Sequence, residues 1–153
     1  MFNKKFILYF LIIFSSSQFL FANYGFYRKV ANTCKYYRVD IDEKKMQLIK
    51  NSDGSYNFSI EMQSLRNNFE MVMLVGFISV GQAINHQESF AKKKPGYKPV
   101  IPGNTEVTVS VPVSRDNTII TAKATVDHIR QLSSGKVDTA GFMRLIKNSI
   151  QTL

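Results

Sequence analysis

The chain has 153 residues, with 20 Lys and Arg against 11 Asp and Glu, which gives a formal charge of +9. That length suits one ordinary domain, and a single cysteine rules out an internal disulfide, so the core alone must hold the fold. Two isolated histidines are poor material for a zinc site, and the basic residues lack the aromatic interleaving of a nucleic-acid reader.

Lys4 and Lys5 precede nine apolar residues, Phe6 to Phe14, in the pattern of a secretory signal. Ser15-Ser16-Ser17 and Leu20-Phe21-Ala22 are both candidate cleavage sites, and cleavage after Ala22 is preferred. Residues 1–22 are therefore expected to be a signal peptide and residues 23–153 a single α+β domain with a charge of +7. The alternative is an uncleaved helix that anchors the domain in the inner membrane. The abundance of Lys, Asn, Ile and Phe suggests an AT-rich genome, and the expected location is a bacterial periplasm or the cell exterior.

Tyr27, Val30, Ala31 and Cys34 share one side of a short helix starting near Asn23. Lys35 to Ile41 alternates and predicts a strand, Asp42-Glu43-Lys44 a charged turn, and Lys45 to Lys50 a weaker strand. Asp53-Gly54 favours the positive φ of a hairpin turn. Tyr56, Phe58, Ile60 and Met62 then alternate with polar residues, a clear strand.

Glu61 to His86 is read as the long central helix, centred on residues 69–80, with Ser64 as a candidate cap. At about 100° per residue, Leu65, Phe69, Val72, Met73, Gly76, Phe77, Val80, Ala83 and Ile84 form one broad apolar face. Met71, Leu74, Val75 and Ile78 lie opposite, so the middle is apolar all round and needs cover on more than one side. A membrane span needs about 20 mainly apolar residues, and Glu70 and Gln82 interrupt this shorter run. Gly76, Ser79 and Ala83 imply close approach of a sheet or a second helix.

Residues 87–104 read as a basic Pro/Gly linker. Thr105 to Val113 is a strand with Pro112 at an edge or bulge, and Ser114 to Asn117 turns the chain. Thr118 to Ile129 reads as the return strand, although Ala122, Val126 and Ile129 also fit a helix. Asp138 or Thr139 caps a last helix with Phe142, Leu145, Ile146, Ser149 and Ile150 on its apolar side. The expected fold is α+β: an antiparallel sheet of about five strands, with one long central helix and a C-terminal helix packed on it.

Little in the sequence suggests catalysis. Asp127 and His128 are neighbours and cannot face each other as a catalytic pair in a strand or a helix. A Cys34–His128 dyad would need the fold to create it. Asp40, Asp42 and Glu43 lack calcium-loop spacing. No cofactor and no metal are expected.

Lys92, Lys93, Lys94, Tyr97 and Lys98 are the candidate contact for an anionic lipid or cell-wall polymer, because lysines are attracted to anionic surfaces. Met71, Leu74 and Ile78 are the candidate surface for a protein partner. The expected function is that of a small exported, non-catalytic binding or adaptor domain at the cell envelope. Its partner is an envelope protein or a second copy of the chain, and not a nucleic acid. The alternative is a module that takes a small apolar ligand or lipid in a pocket of Tyr56, Phe58, Phe69, Met73 and Phe77.

Overall fold

A computed structural model describes residues 23–65, 68–113 and 116–153, with the side chains of 113 and 116 left aside. The expected signal or anchor, residues 1–22, lies outside the described residues, as do Ser114 and Arg115.

The chain opens with helix α1 over residues 23–36, which buries Phe26, Val30, Thr33 and Cys34 at helical spacing. It ends in a reversal of the Schellman type. Arg38 takes φ +60°, its N–H bonds Lys35 O, and the Val39 N–H reaches back to Cys34 O. The expected strand over Lys35 to Ile41 is therefore absent: Lys35 and Tyr36 finish α1, Tyr37 and Arg38 form the turn, and Val39 to Ile41 pair with no strand. Val39 is still buried, packed into the core without a strand partner.

A short 3-10 turn over Glu43–Lys45 leads into the hairpin β1 (Met46–Lys50) and β2 (Tyr56–Gln63). The turn between them has Gly54 at φ +85°. Helix α2 follows over Phe69–Lys93, then the hairpin β3 (Pro102–Val113) and β4 (Asp116–Thr125). Ser64 does not cap α2: its N–H extends the ladder to Ser110 O, and Asn68 occupies the cap position. The segment expected to be all return strand divides. After β4 it becomes helix α3 (Val126–Ser133), with Thr125 accepting from the His128 N–H as N-cap. Helix α4 (Thr139–Ile146) starts on Asp138, whose carboxylate accepts from Gly141 N–H at 2.7 Å. The two-residue strand β5 (Gln151–Thr152) closes the chain.

The five strands lie in the order β1-β2-β3-β4-β5. Three pairs are antiparallel, but β2 and β3 are parallel, with Ile60 opposite Val107. Helix length explains the exception. The 25 residues of α2 run about 37 Å at ~1.5 Å per residue, enough to carry the chain back to the end of the sheet where β2 began. A strand re-entered from its own starting end is parallel.

Among the described residues, α1 to α4 lie on one sheet face. Phe58, Ile60, Met62, Val107, Val109, Val111, Ala122 and Ala124 point into that layer and are buried. The other face is uncovered and polar, with Ser59, Glu106 and Lys123 in register across β2, β3 and β4. There Lys123 and Glu106 form an ion pair of 3.0 Å.

Within the helical layer α2 is central. On one flank, α1 runs antiparallel to it: Gly25 lies against Gln87, and the Cys34 thiol hydrogen-bonds Ser79. On the other flank, a Cβ on Gly81 would lie 3.0 Å from Ser133 Cβ of α3, and Phe142 of α4 meets Phe77 edge-on at 5.2 Å. The buried hydrophobic core runs from Phe26 to Ile146, so residues 23–153 carry their own core. Among the described residues, no helix is long and apolar enough to cross a membrane.

Candidate functional site

Three sides of α2 are covered by α1, the sheet and α3 with α4. At about 100° per residue, the side left over carries Met71, Leu74, Ile78 and Gln82. Met71 is 40 % exposed, while Leu74 and Ile78 are half-buried by the flanking helices. The apolar back of the helix is thus narrowed by this chain's own walls to a stripe.

The stripe does not stand alone. Lys29, Asn32, Thr33, Tyr36 and Tyr37 of α1 and its turn share a shallow groove with Gln82 of α2. Tyr36 is 81 % exposed, and its ring meets Tyr37 edge-on at 5.2 Å. Ile78 lies one helical turn before Gln82 on the same side, so the tyrosine pair borders the stripe. Sequence reading missed these tyrosines because it set them in a strand. The alternation of Lys35 to Ile41 hid them, because in a strand it sets Tyr37 on the buried face and Tyr36 apart from it. From Asn23 to Val39 the chain carries Arg28, Lys29, Lys35 and Arg38 and no acidic residue, so the groove's α1 wall is positive.

The expected linker is helical as far as Lys93, and the segment after it is tied back to Gln87. Gln87 is buried, and its Oε1 accepts from the Tyr97 hydroxyl at 2.6 Å and from Val100 N–H at 3.2 Å. Tyr97 is therefore partly withdrawn from the surface, and burial pushes its hydroxyl pKa up against the Gln87 bond. Its ring packs edge-on against Phe90 at 4.7 Å, and Lys94 Nζ stands 5.8 Å over the Phe90 ring. Lys92, Lys93, Lys94 and Lys98 are all exposed around this turn.

The residues weighed for catalysis fall on separate elements. Cys34 is fully buried on α1, and burial raises its pKa against the Ser79 hydrogen bond. His86 is exposed on α2, and His128 is half-buried in the first turn of α3. Asp53 is held below the usual carboxylate range by hydrogen bonds from the Ser55 hydroxyl and N–H, an arrangement internal to the hairpin turn. Among the described residues, no group of three His, Cys, Asp or Glu is placed to hold a metal ion. Of the residues imagined as a pocket, Phe58, Met73 and Phe77 are at most 1 % exposed and belong to one packed core. No protein-family model, no curated protein and no solved structure matches this chain.

Proposed function

We propose that this is a small exported, non-catalytic adaptor domain of the cell envelope, and that its outer helical face takes a protein partner. The observation that carries the reading is the exposed Tyr36–Tyr37 pair at the edge of the Met71, Leu74 and Ile78 stripe. Tyrosine is enriched at the centres of interfaces, where a rigid, amphipathic ring contributes area at little entropic cost. An isolated exposed tyrosine needs no explanation, but an aromatic pair that meets α2 at Gln82, one turn from Ile78 of an apolar stripe, suits a docking face.

The positive α1 wall defines the partner's chemistry. An amphipathic helix would set its apolar side chains on Met71, Leu74 and Ile78, in the manner of helix-in-groove recognition, with acidic residues facing Lys29, Lys35 and Arg38. An internal apolar pocket is less favoured, because Phe58, Met73 and Phe77 are packed shut.

The test is site-specific photo-crosslinking in the cells that make the protein. Probes at Tyr36 and Ile78 should give the same protein adduct, and a probe at Thr108 on the open sheet face should not. Tyr36→Ala with Tyr37→Ala should abolish the Ile78 adduct without lowering Tm. An adduct from Thr108 alone, or none from either helical position, overturns the reading. An adduct at twice the chain's mass identifies a second copy as the occupant in place of an acidic helix.

A further inference from the structure

We infer that the end of the molecule around Lys92–Lys98 is a docking surface for an anionic phospholipid bilayer, distinct from the protein-binding face on the helices. Four features of different kinds meet there. The first is charge. Lys92, Lys93, Lys94 and Lys98 are exposed, and the only acid from His86 to Val100 is Glu88, already paired with Arg130 at 2.6 Å. Two further acids stand at this end, Asp53 on the hairpin turn, whose charge the Ser55 hydrogen bonds stabilise, and Asp127 beside Glu88 and Arg130, so the four lysines outnumber the acids around them.

The second is an apolar tip. Phe90 is 41 % exposed among these lysines, and Tyr24, at the start of α1, is 61 % exposed. Gly25 abuts Gln87, so both aromatics belong to the same end of the molecule. Aromatic rings flanked by lysines suit the boundary between headgroups and acyl chains. The third is rigidity: the buried Gln87 holds Tyr97 and Val100, and Tyr97 holds Phe90, so the turn is set before any lipid arrives. Little ordering entropy is then lost on docking.

The fourth is where the chain enters. Asn23 begins α1 at this same end, directly after the apolar run of residues 6–14 and its sequel to Ala22. A chain that kept this segment in a bilayer would deliver the lysine turn to the headgroups. A chain that lost it would keep a reversible contact through the same residues.

The test uses residues 23–153, which contain the whole described core, so that binding by residues 1–22 cannot intervene. The probe is a set of sedimented vesicles, either of neutral phosphatidylcholine or with a third of the lipid replaced by phosphatidylglycerol. Binding is expected only to the anionic vesicles, and it should fall as salt is raised. Each lysine near such a surface changes partitioning about fivefold, so Lys93→Gln with Lys98→Gln should weaken binding by about 25-fold. Lys35→Gln with Lys44→Gln, which removes equal charge from the opposite end, should change it less than about threefold. Phe90→Ser should weaken binding several-fold in high salt as well as in low.

Equal loss in the two lysine pairs would make the effect one of net charge and overturn the site. So would the absence of binding to anionic vesicles, or binding that inorganic phosphate at millimolar concentration abolishes at constant ionic strength. None of these outcomes bears on crosslinking from Tyr36 or Ile78.

Discussion

Gly76 of α2 meets Val107 of β3 so closely that a Cβ on Gly76 would lie 2.9 Å from Val107 Cγ1. Met62 Sδ, on the neighbouring strand β2, would be 3.0 Å away. Two side chains of the sheet thus occupy the space where a methyl group would be. Gly76→Ala gains up to ~1 kcal/mol of helix propensity but forces β-branched Val107, stiff at χ1, to move. Overpacking of this kind costs about 1–3 kcal/mol, so a net loss of ~1 kcal/mol is expected, read as a fall in Tm. The added variant Val107→Ala makes room, so a double-mutant cycle should show favourable coupling between the two changes. Plain additivity would mean that helix and sheet are not in close contact there.

Much of this packing was legible in the chain. The small-residue stripe of α2 called for close neighbours, and the apolar circumference from Phe69 to Val80 called for cover on several sides. Both needs are met by α1, α3 and the sheet. The hairpin turn at Gly54 and the cap at Asp138 carried local signals and stand where expected. What failed had non-local or unusual causes. The end of α1 uses Arg38 at positive φ where glycine is usual, so nothing marked it. The parallel pairing of β2 and β3 depends on the length of α2 and on Gln87, which holds the chain after the helix through bonds to residues 10 and 13 positions later. A buried glutamine reads as surface in a sequence. The tyrosine groove was lost with the end of α1, since its residues meet Gln82 only once that segment is helical.

Gln87 offers a graded test of how the basic turn is held. Replacing it with Leu keeps the volume but leaves the Tyr97 hydroxyl and the Val100 N–H without this acceptor. A buried donor deprived of its partner costs about 1–3 kcal/mol. Tyr97→Phe removes one partner cleanly and should cost ~1 kcal/mol. The expected order of Tm is therefore wild type, Tyr97→Phe, then Gln87→Leu. Hydrogen exchange at Val100 should quicken sharply only in Gln87→Leu. Equal exchange in the two variants would place the anchor elsewhere.

Ser149 does the work of a missing strand. Strand β5 pairs with β4 only at Ile120 and Thr121, which leaves the Lys123 edge open. There the Ser149 hydroxyl accepts from Lys123 N–H at 2.9 Å and lies 2.7 Å from the carbonyl oxygens of Lys123 and Ile146, to one of which it donates. Ser149→Ala should cost about 1–2 kcal/mol and expose that strand edge. Exposed edges template association, so light scattering on heating should begin earlier in this variant. Ser149→Thr, if it keeps the hydroxyl in place, should restore most of the stability.

Cys34 predicts the alkaline limit of stability. Its thiol is buried between α1 and α2, and burial raises its pKa, opposed by the Ser79 hydrogen bond. The native state therefore keeps its proton where the unfolded chain, with a thiol pKa of about 8.5, releases it. Above that value the unfolded state binds fewer protons than the native one, so stability falls as pH rises. Below it the thiol is neutral in both states and contributes no slope. The fall should continue until pH passes the raised native value. Wild type should lose more Tm than Cys34→Ala between about pH 7 and about pH 9.5, although the variant starts lower because of the cavity it creates. A thiol reagent should react with the native protein only at the rate of opening between α1 and α2, and at full speed in denaturant. Rapid labelling of the native chain near neutral pH, or matching pH slopes in the two proteins, would contradict the burial of Cys34.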